Sequence, residues 1–396
     1  MTAVADAPLS GILVVDLSRA LAGPHATMMM GDLGARVVKV ERPGLGDDTR
    51  GWGPPFADPD DGERESTYFL SANRNKESVC LDLKDAGDRT VLLDLVARAD
   101  VLVDNFRTGV MERLGLDQET LAARNPRLVR LSISGFGHDG PEAHRTGYDQ
   151  IAQGEGGLMS VTGSGPDDPQ KFGTPICDLV AGMYGAFGVL AALRERETTG
   201  RGTVVRTSLL AAAVGIHGFQ ATRWTIGGTV GRGAGNHHPS VTPYGLFRCA
   251  DGAVQIAVGS EGLWRDFCAG FGLDPDRSGM ASNPERVGNR DAVIAVVEDV
   301  FASWKADDLV DRLAEVGIPC GRVRTIDQVY DWAQTQSQGL VLDVDHATLG
   351  PIQLPGPPLR FFGEDNVEQT WRGHRPPPTL DQHGDDVREW LAEHAP

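Results

Sequence analysis

Five short apolar runs recur in the first third of the chain, each followed by turn or helix chemistry: Gly11–Ser18, Arg36–Glu41, Ser78–Leu83, Asp100–Asp104 and Leu128–Ser134. A run of four to eight largely apolar residues without alternation reads as a strand buried on both faces. The intervening segments have helical character. Pro24 sits near the first turn of a helix over His25–Leu33, and Gly34 ends it. Ala86–Ala99 and Gln118–Arg124 read as further helices. Alternation of this kind predicts an α/β fold with a parallel sheet covered on both faces.

At 396 residues the chain exceeds what one core usually supports, so two domains are expected. Arg42–Asn75 is rich in Gly and Pro and reads as a long irregular loop, often a functional feature in a compact domain. Asp178–Arg196 and Leu209–Gly218 read as helices. Gly227–Pro243 breaks the pattern as a linker or active-site loop. Tyr244–Phe247 and Ala253–Val258 flank Asp251-Gly252, a hairpin signal. With helices over Leu263–Gly270, Asn289–Trp304 and Ala306–Glu315, the region 230–330 reads as a smaller α+β domain, preceded by a linker over 211–229. From Asp331 the Pro-rich tail reads as an extended chain running over another surface.

A formal net charge of −18 argues against nucleic-acid binding, which needs a basic footprint. It also means that an anionic ligand would need Arg and Lys placed for it. The five cysteines are dispersed with no C-x-x-C, which fits a reducing cytoplasm rather than a disulfide framework or a zinc site. Met1–Ser10 lacks signal-peptide character, and the apolar stretch Leu179–Leu193 reads as a buried helix too short to span a membrane. Arg19-Ala-Leu-Ala-Gly-Pro24 replaces the G-x-G-x-x-G of dinucleotide sites. Neither a P-loop nor a G-x-S-x-G elbow occurs. His237-His238 is the only paired-histidine site and lacks further ligands at metal spacing, so no metal is expected.

Asp178 is the only charged residue between Lys171 and Arg194, where the longest apolar helix begins. An Asp there is a natural N-cap, and both capping and the helix dipole would keep it ionised. Gly182, Gly185 and Gly188 permit close approach of another backbone. The helix is apolar all round, which puts its start deep in the molecule. A lone carboxylate at a partly dry site also suits covalent catalysis.

At these residues the sequence resembles the class III CoA-transferase family. The likeness runs through Pro8–Leu17, Ala22–Pro24, Met30–Ala35, Val38–Pro43, Gly46–Arg50, Asn73–Lys76, Asp104–Phe106, the Asp178 segment and Gly317–Gly321. The resemblance implies a Rossmann-like large domain, residues 1–210 completed by the tail 331–396, and an interlocked, ring-like homodimer. It implies Asp178 as the nucleophile that forms an aspartyl anhydride and then an aspartyl-CoA thioester. It implies coenzyme A, as acyl-CoA, held by Ala20, Leu21, Arg42, Leu81, Asn105, Phe106 and Arg113. Trp52, Tyr68 and Tyr148 match aromatic positions of the family's acyl pocket, and Gly233 and Gly235 lie in its Gly-rich loop.

Gly46-Asp-Asp-Thr-Arg50, Gly51-Trp-Gly-Pro-Pro-Phe56, Glu65-Ser-Thr-Tyr68 and Asn73-Arg-Asn-Lys76 are most similar to succinyl-CoA-dependent dicarboxylate transferases of the glutarate type. A distal carboxylate calls for an arginine, and Arg50, Arg74 and Arg232 are the candidates. Relatives acting on formyl-CoA and oxalate can carry a lysine near position 146, where this chain has Thr146. Two alternatives stand beside transfer. One is an α-methylacyl-CoA racemase, whose histidine would fall where Tyr148 stands. The other is a non-catalytic CoA-binding protein.

Overall fold

The computed structural model describes residues 7–60 and 62–394. The chain divides into two compact units. One comprises the residues up to Leu158, Phe172–Ala221 and those from Ala333 onward; the other comprises Met159–Lys171 and Thr222–Trp332.

The first unit is built on a six-stranded sheet in the spatial order Lys76–Cys80, Arg36–Glu41, Leu13–Asp16, Val101–Asp104, Val129–Ser134, Val204–Ser208. All neighbours are parallel, with Val14 beside both Val37 and Val101. Successive side chains point to opposite faces of a strand, so a run apolar at every position has a core on each side. Val14, Val37, Val101 and Leu131 pack with Ala26 and Met30 of the helix Ala22–Asp32 and with Ala181 and Val189 of the helix Ile176–Thr199. On the other face Val15, Val38, Val79 and Leu102 meet Leu92, Leu95 and Val96 of the helix Ala86–Arg98. Leu121 of Gln118–Arg124 and Val387 and Leu391 of the C-terminal helix Gly384–Glu393 complete that core. The first three strands are laid outward in one direction, and the fourth returns to the far side of the first. A crevice therefore forms at the carboxyl ends of Leu13–Asp16 and Val101–Asp104, where open α/β sheets bind ligands.

Several expectations need correction. The sixth strand, Val204–Ser208, adds to the five expected: its residues are mostly half-exposed and include Arg206, so they do not form an apolar run. The expected linker 211–229 instead holds the end of the helix Leu209–Gly215 and the helix Phe219–Thr225. The tail is not merely extended. It forms the hairpin Val341–His346 and Gly350–Pro355, then the helix Gly384–Glu393. It is tied to the sheet edge where Asn75 N–H donates to the Arg375 carbonyl at 3.0 Å and Cys80 N–H to Asp381 Oδ1 at 2.6 Å.

The helix Ile176–Thr199 is 24 residues long, enough by length and composition to cross a membrane, yet it lies along the sheet with Cys177, Ala181, Gly185 and Val189 buried. It is not buried all round: Met183, Tyr184, Phe187 and Leu190 face outward, and Phe187 is 72% exposed. Gly182 marks its crossing with Ala22–Asp32. A Cβ there would sit 2.6 Å from the Ala22 carbonyl oxygen and 3.3 Å from the Ala26 nitrogen, both backbone atoms that cannot rotate away. Gly182→Ala is therefore expected to destabilise by about 1–3 kcal/mol, the usual overpacking cost. A thermal melt indistinguishable from the parent would rule out this close crossing.

In the second unit Tyr244–Cys249 and Gly252–Ala257 form an antiparallel hairpin, and Cys320–Arg322 pairs with Gly252–Ala257. Phe247, Val254, Trp264, Phe267, Phe301 and Leu309 form its core.

Candidate active site

The chain leaves the first strand as Leu17-Ser-Arg-Ala-Leu21 and the fourth as Asn105-Phe106, so these residues meet at the crevice. Asn105 fixes the first turn from both sides: its Oδ1 accepts from Arg19 N–H at 2.9 Å and its Nδ2 donates to the Arg19 carbonyl at 2.7 Å. Ala20 is held at φ 62°, a left-handed conformation rare for a residue with a Cβ. Its N–H donates to Asp47 Oδ1 at 3.1 Å.

A cavity of about 760 Å³ opens here, lined entirely by the first unit. Of the residues expected from sequence, Ala20, Arg42, Trp52, Tyr68, Leu81, Asn105, Phe106, Tyr148 and Asp178 line it. Leu21 is buried beside it in the turn, and Arg113 does not reach the wall. Arg50 and Arg74 are not free to bind a substrate carboxylate. Arg50 pairs with Glu41 at 2.7 Å, and Arg74 with Asp32 at 2.5 Å, both largely buried. Arg232, Gly233 and Gly235 belong to the second unit, where the Gly233 and Gly235 N–H groups donate to the carbonyls of Ser160 and Gly163. Arg232 is exposed.

Three cations that sequence reading missed also line the cavity: Arg19, Lys84 and Arg107. Arg19 and Arg107 lie just past strand ends at the crevice and Lys84 a few residues past the edge strand, a position that could have singled them out. Arg42 pairs with Asp48 in the same wall, and the Arg19 guanidinium lies 5.3 Å from the Phe106 ring centroid. Burial, followed by the like charge of Arg42, lowers the Arg19 pKa. Such a cluster on a chain of net charge −18 suits a polyanion.

Asp178 does not cap its helix, contrary to expectation. Pro175 is the N-cap and makes no side-chain cap bond, so Asp178 lies in the first turn. The amides at the helix start are taken by Asp149, whose Oδ1 accepts from Cys177 N–H at 2.8 Å and from Asp178 N–H at 3.4 Å. None of the described residues donates a side-chain hydrogen bond to the Asp178 carboxylate. It is therefore not held firmly ionised: burial, then the neighbouring Asp149 charge, raises its pKa to about 7. Across the cavity Tyr68 is pushed up to about 12 by burial, then by Asp178 and Asp149. Its ring meets Trp52 edge-on, centroids 5.0 Å apart. No histidine is among the described residues lining the cavity, and no group of three or more His, Cys, Asp or Glu that could hold a metal occurs among the described residues.

The doubly wound sheet thus carries, at its crevice, a cavity whose lining includes a protonatable carboxylate, aromatic rings and four cations, a setting for a ligand-binding or catalytic site. The family model described as CoA-transferase family III matches residues 9–384, and the chain belongs to that family. It is a family III CoA-transferase and uses CoA thioesters as substrates. It is 37% identical to the succinyl-CoA:glutarate CoA-transferase of Mus musculus over 95% of this chain and 84% of that protein. It is 36% identical to the acetyl-CoA:oxalate CoA-transferase of Acetobacter aceti, over 97% and 96% of the two chains. A CAIB/BAIF family protein from Brucella suis has a similar structure, with TM-score 0.85, 37% identity, and 98% and 100% of the two chains covered.

Proposed function

We propose that this enzyme moves CoA from succinyl-CoA to a small dicarboxylic acid through covalent intermediates on Asp178. The supporting observation is the half-buried Asp178 carboxylate, which faces the cavity without a side-chain donor and has a raised proton affinity. A carboxylate oxygen of Asp178 attacks the donor thioester carbonyl and expels CoA thiolate, leaving a mixed anhydride. The thiolate attacks the aspartyl carbonyl of that anhydride, releasing the donor acid and forming aspartyl-CoA thioester. The acceptor carboxylate then attacks this thioester, expelling thiolate and forming a second anhydride. Thiolate attack on the acceptor acyl carbonyl frees acyl-CoA and restores the Asp178 carboxylate. Each step exchanges one acyl bond for another, and no proton or electron is left over.

Arg19, Arg42, Lys84 and Arg107 supply positive charge for the CoA phosphates. The activities of its relatives, succinyl-CoA:glutarate and succinate–glutarate CoA-transferases, support succinyl-CoA as donor and a dicarboxylate as acceptor. Glutarate leads the acceptors, with oxalate, mesaconate, itaconate and malate in the same screen. Racemisation would need an acid–base histidine at the cavity, and incorporation of solvent deuterium at the α-carbon without an acceptor acid would favour it. A homodimer is part of the proposal: Met183, Tyr184, Phe187 and Leu190 form an exposed apolar face suited to a second subunit. The five thiols are all free, which supports a cytoplasmic setting.

The covalent step is tested by incubation with succinyl-CoA, trapping with borohydride or hydroxylamine, and peptide mass spectrometry. The modification is expected on Asp178; an adduct on any other residue refutes the assignment. Because the attacking form is the carboxylate, kcat/KM for succinyl-CoA should fall about tenfold per pH unit below the Asp178 pKa of about 7. A profile flat down to pH 5 would contradict this.

A further inference from the structure

We propose that Asp149 is a positioning residue for the nucleophile: it caps the long helix in place of Asp178 and so leaves the Asp178 carboxylate uncommitted at the cavity wall. This rests on Asp178 being the acyl acceptor.

The helix Ile176–Thr199 begins with unpaired amides, and its N-cap, Pro175, offers no side chain to satisfy them. A carboxylate in the first turn would ordinarily turn back onto such amides. Here a second carboxylate already occupies them. Asp149 Oδ1 accepts from the Cys177 and Asp178 amides, while its Oδ2 accepts from Gln153 Nε2 at 2.7 Å. Gln153 is buried, and its Oε1 accepts from Phe172 N–H at 2.8 Å. The helix Asp149–Glu155 thus clamps the chain at both Phe172 and Cys177, just ahead of the nucleophile. A carboxylate bound to backbone amides is a weaker base and nucleophile than one left without donors.

The same arrangement places a negative charge next to Asp178. The other ionisable groups on packed elements do not offset it. Tyr68, on the helix Thr67–Ser71, and Cys177 both have pKa values raised to about 12. His25, against Gly182 on the helix Ala22–Asp32, is lowered to about 4 by burial, then by Arg74 and Lys76, and is neutral. The helix Leu209–Gly215 carries no ionisable side chain. On the strands beneath, Arg130 is held by Asp104, and Arg206 lies on the edge strand. Glu155, on the helix of Asp149, pairs with Arg145.

Two variants test this. Asp149→Asn keeps an oxygen acceptor for the amides but removes the charge. Its acid limb in kcat/KM should move down by about one pH unit, with KM for succinyl-CoA little changed and a lower melting temperature, because the new NH2 group faces the Gln153 Nε2 donor. Asp149→Ala removes the cap as well. Trapped-adduct formation should then slow by about 10–100-fold, again with KM within a factor of about three. An acid limb unmoved in Asp149→Asn, while Asp178→Asn is inactive, would overturn the role of Asp149 and leave the nucleophile standing. Parental activity in Asp178→Asn would bring down the proposed function itself. Should Asp149→Ala fail to fold, the pH profile of Asp149→Asn decides alone.

Discussion

Asp178→Asn is expected to lose thioester exchange by roughly 10³–10⁵-fold, the scale seen when a nucleophile is removed and binding is left intact. The amide has nearly the same shape, so the cavity and its cations should stay in place and CoA binding should survive. What disappears is the oxygen that forms the anhydride. Stability should respond in the opposite direction to activity. The Asp178 pKa is raised from 3.8 to about 7, so the folded protein holds this proton more tightly than the unfolded chain. Below about pH 4 both states are protonated and the carboxyl costs nothing. As pH rises toward 7 the unfolded chain gains by ionising first, and the native state remains penalised above that. At about 1.36 kcal/mol per pKa unit the full difference would be about 4 kcal/mol. Solvent at the cavity wall reduces this to about 1–2 kcal/mol. The Asn variant should therefore melt higher than the parent at pH 8, and the two should converge near pH 4. Exchange at the parental rate would remove Asp178 from the chemistry, and a stability gain independent of pH would remove its raised pKa.

The parts of this site that could be read in advance share a cause. Asp178 stood out because nothing else charged lies near it in sequence, and the inner strands because burial on both faces writes an apolar run. What failed depends on partners distant in sequence. Arg50 and Arg74 looked available, but the sheet delivers Glu41 to one and the helix Ala22–Asp32 delivers Asp32 to the other. Asp178 looked like a cap because its competitor, Asp149, comes from another helix. The helix Gly384–Glu393 escaped notice because only its thin stripe, Val387 and Leu391, is buried among mostly charged neighbours. Arg19, Lys84 and Arg107 are unremarkable in composition and gain meaning only from the strand order.

Lys39→Met should cost about 3–5 kcal/mol, the range for leaving a buried charge without its partner, and should disturb the cavity as well. Lys39 lies on the second strand with no solvent access, its Nζ 2.9 Å from Asp47 Oδ2 and donating to the Ser18 carbonyl at 2.9 Å. Asp16 is 4.0 Å away and has a nearer partner in Lys76 at 3.0 Å. Burial alone would strip the proton from Lys39, but Asp47, Asp16 and Glu41 together raise its pKa. Asp47 is lowered despite its own burial, chiefly by Lys39. In the variant Asp47 keeps its burial and loses that cation. It also holds the cavity turn, accepting from Ala20 N–H at 3.1 Å and Thr49 N–H at 3.0 Å. Ala20 keeps its left-handed backbone only while such contacts constrain it. The loss should therefore appear both as a lower melting temperature and as a higher KM for succinyl-CoA. Adding Asp47→Asn to Lys39→Met removes the uncompensated charge but retains the oxygen that caps Thr49 and Ala20. The double variant should thus be more stable than the Lys39→Met single variant, a positive coupling that additive costs cannot produce. If the double variant is instead weaker by the sum of the two single losses, the Lys39–Asp47 pair is not what holds this turn.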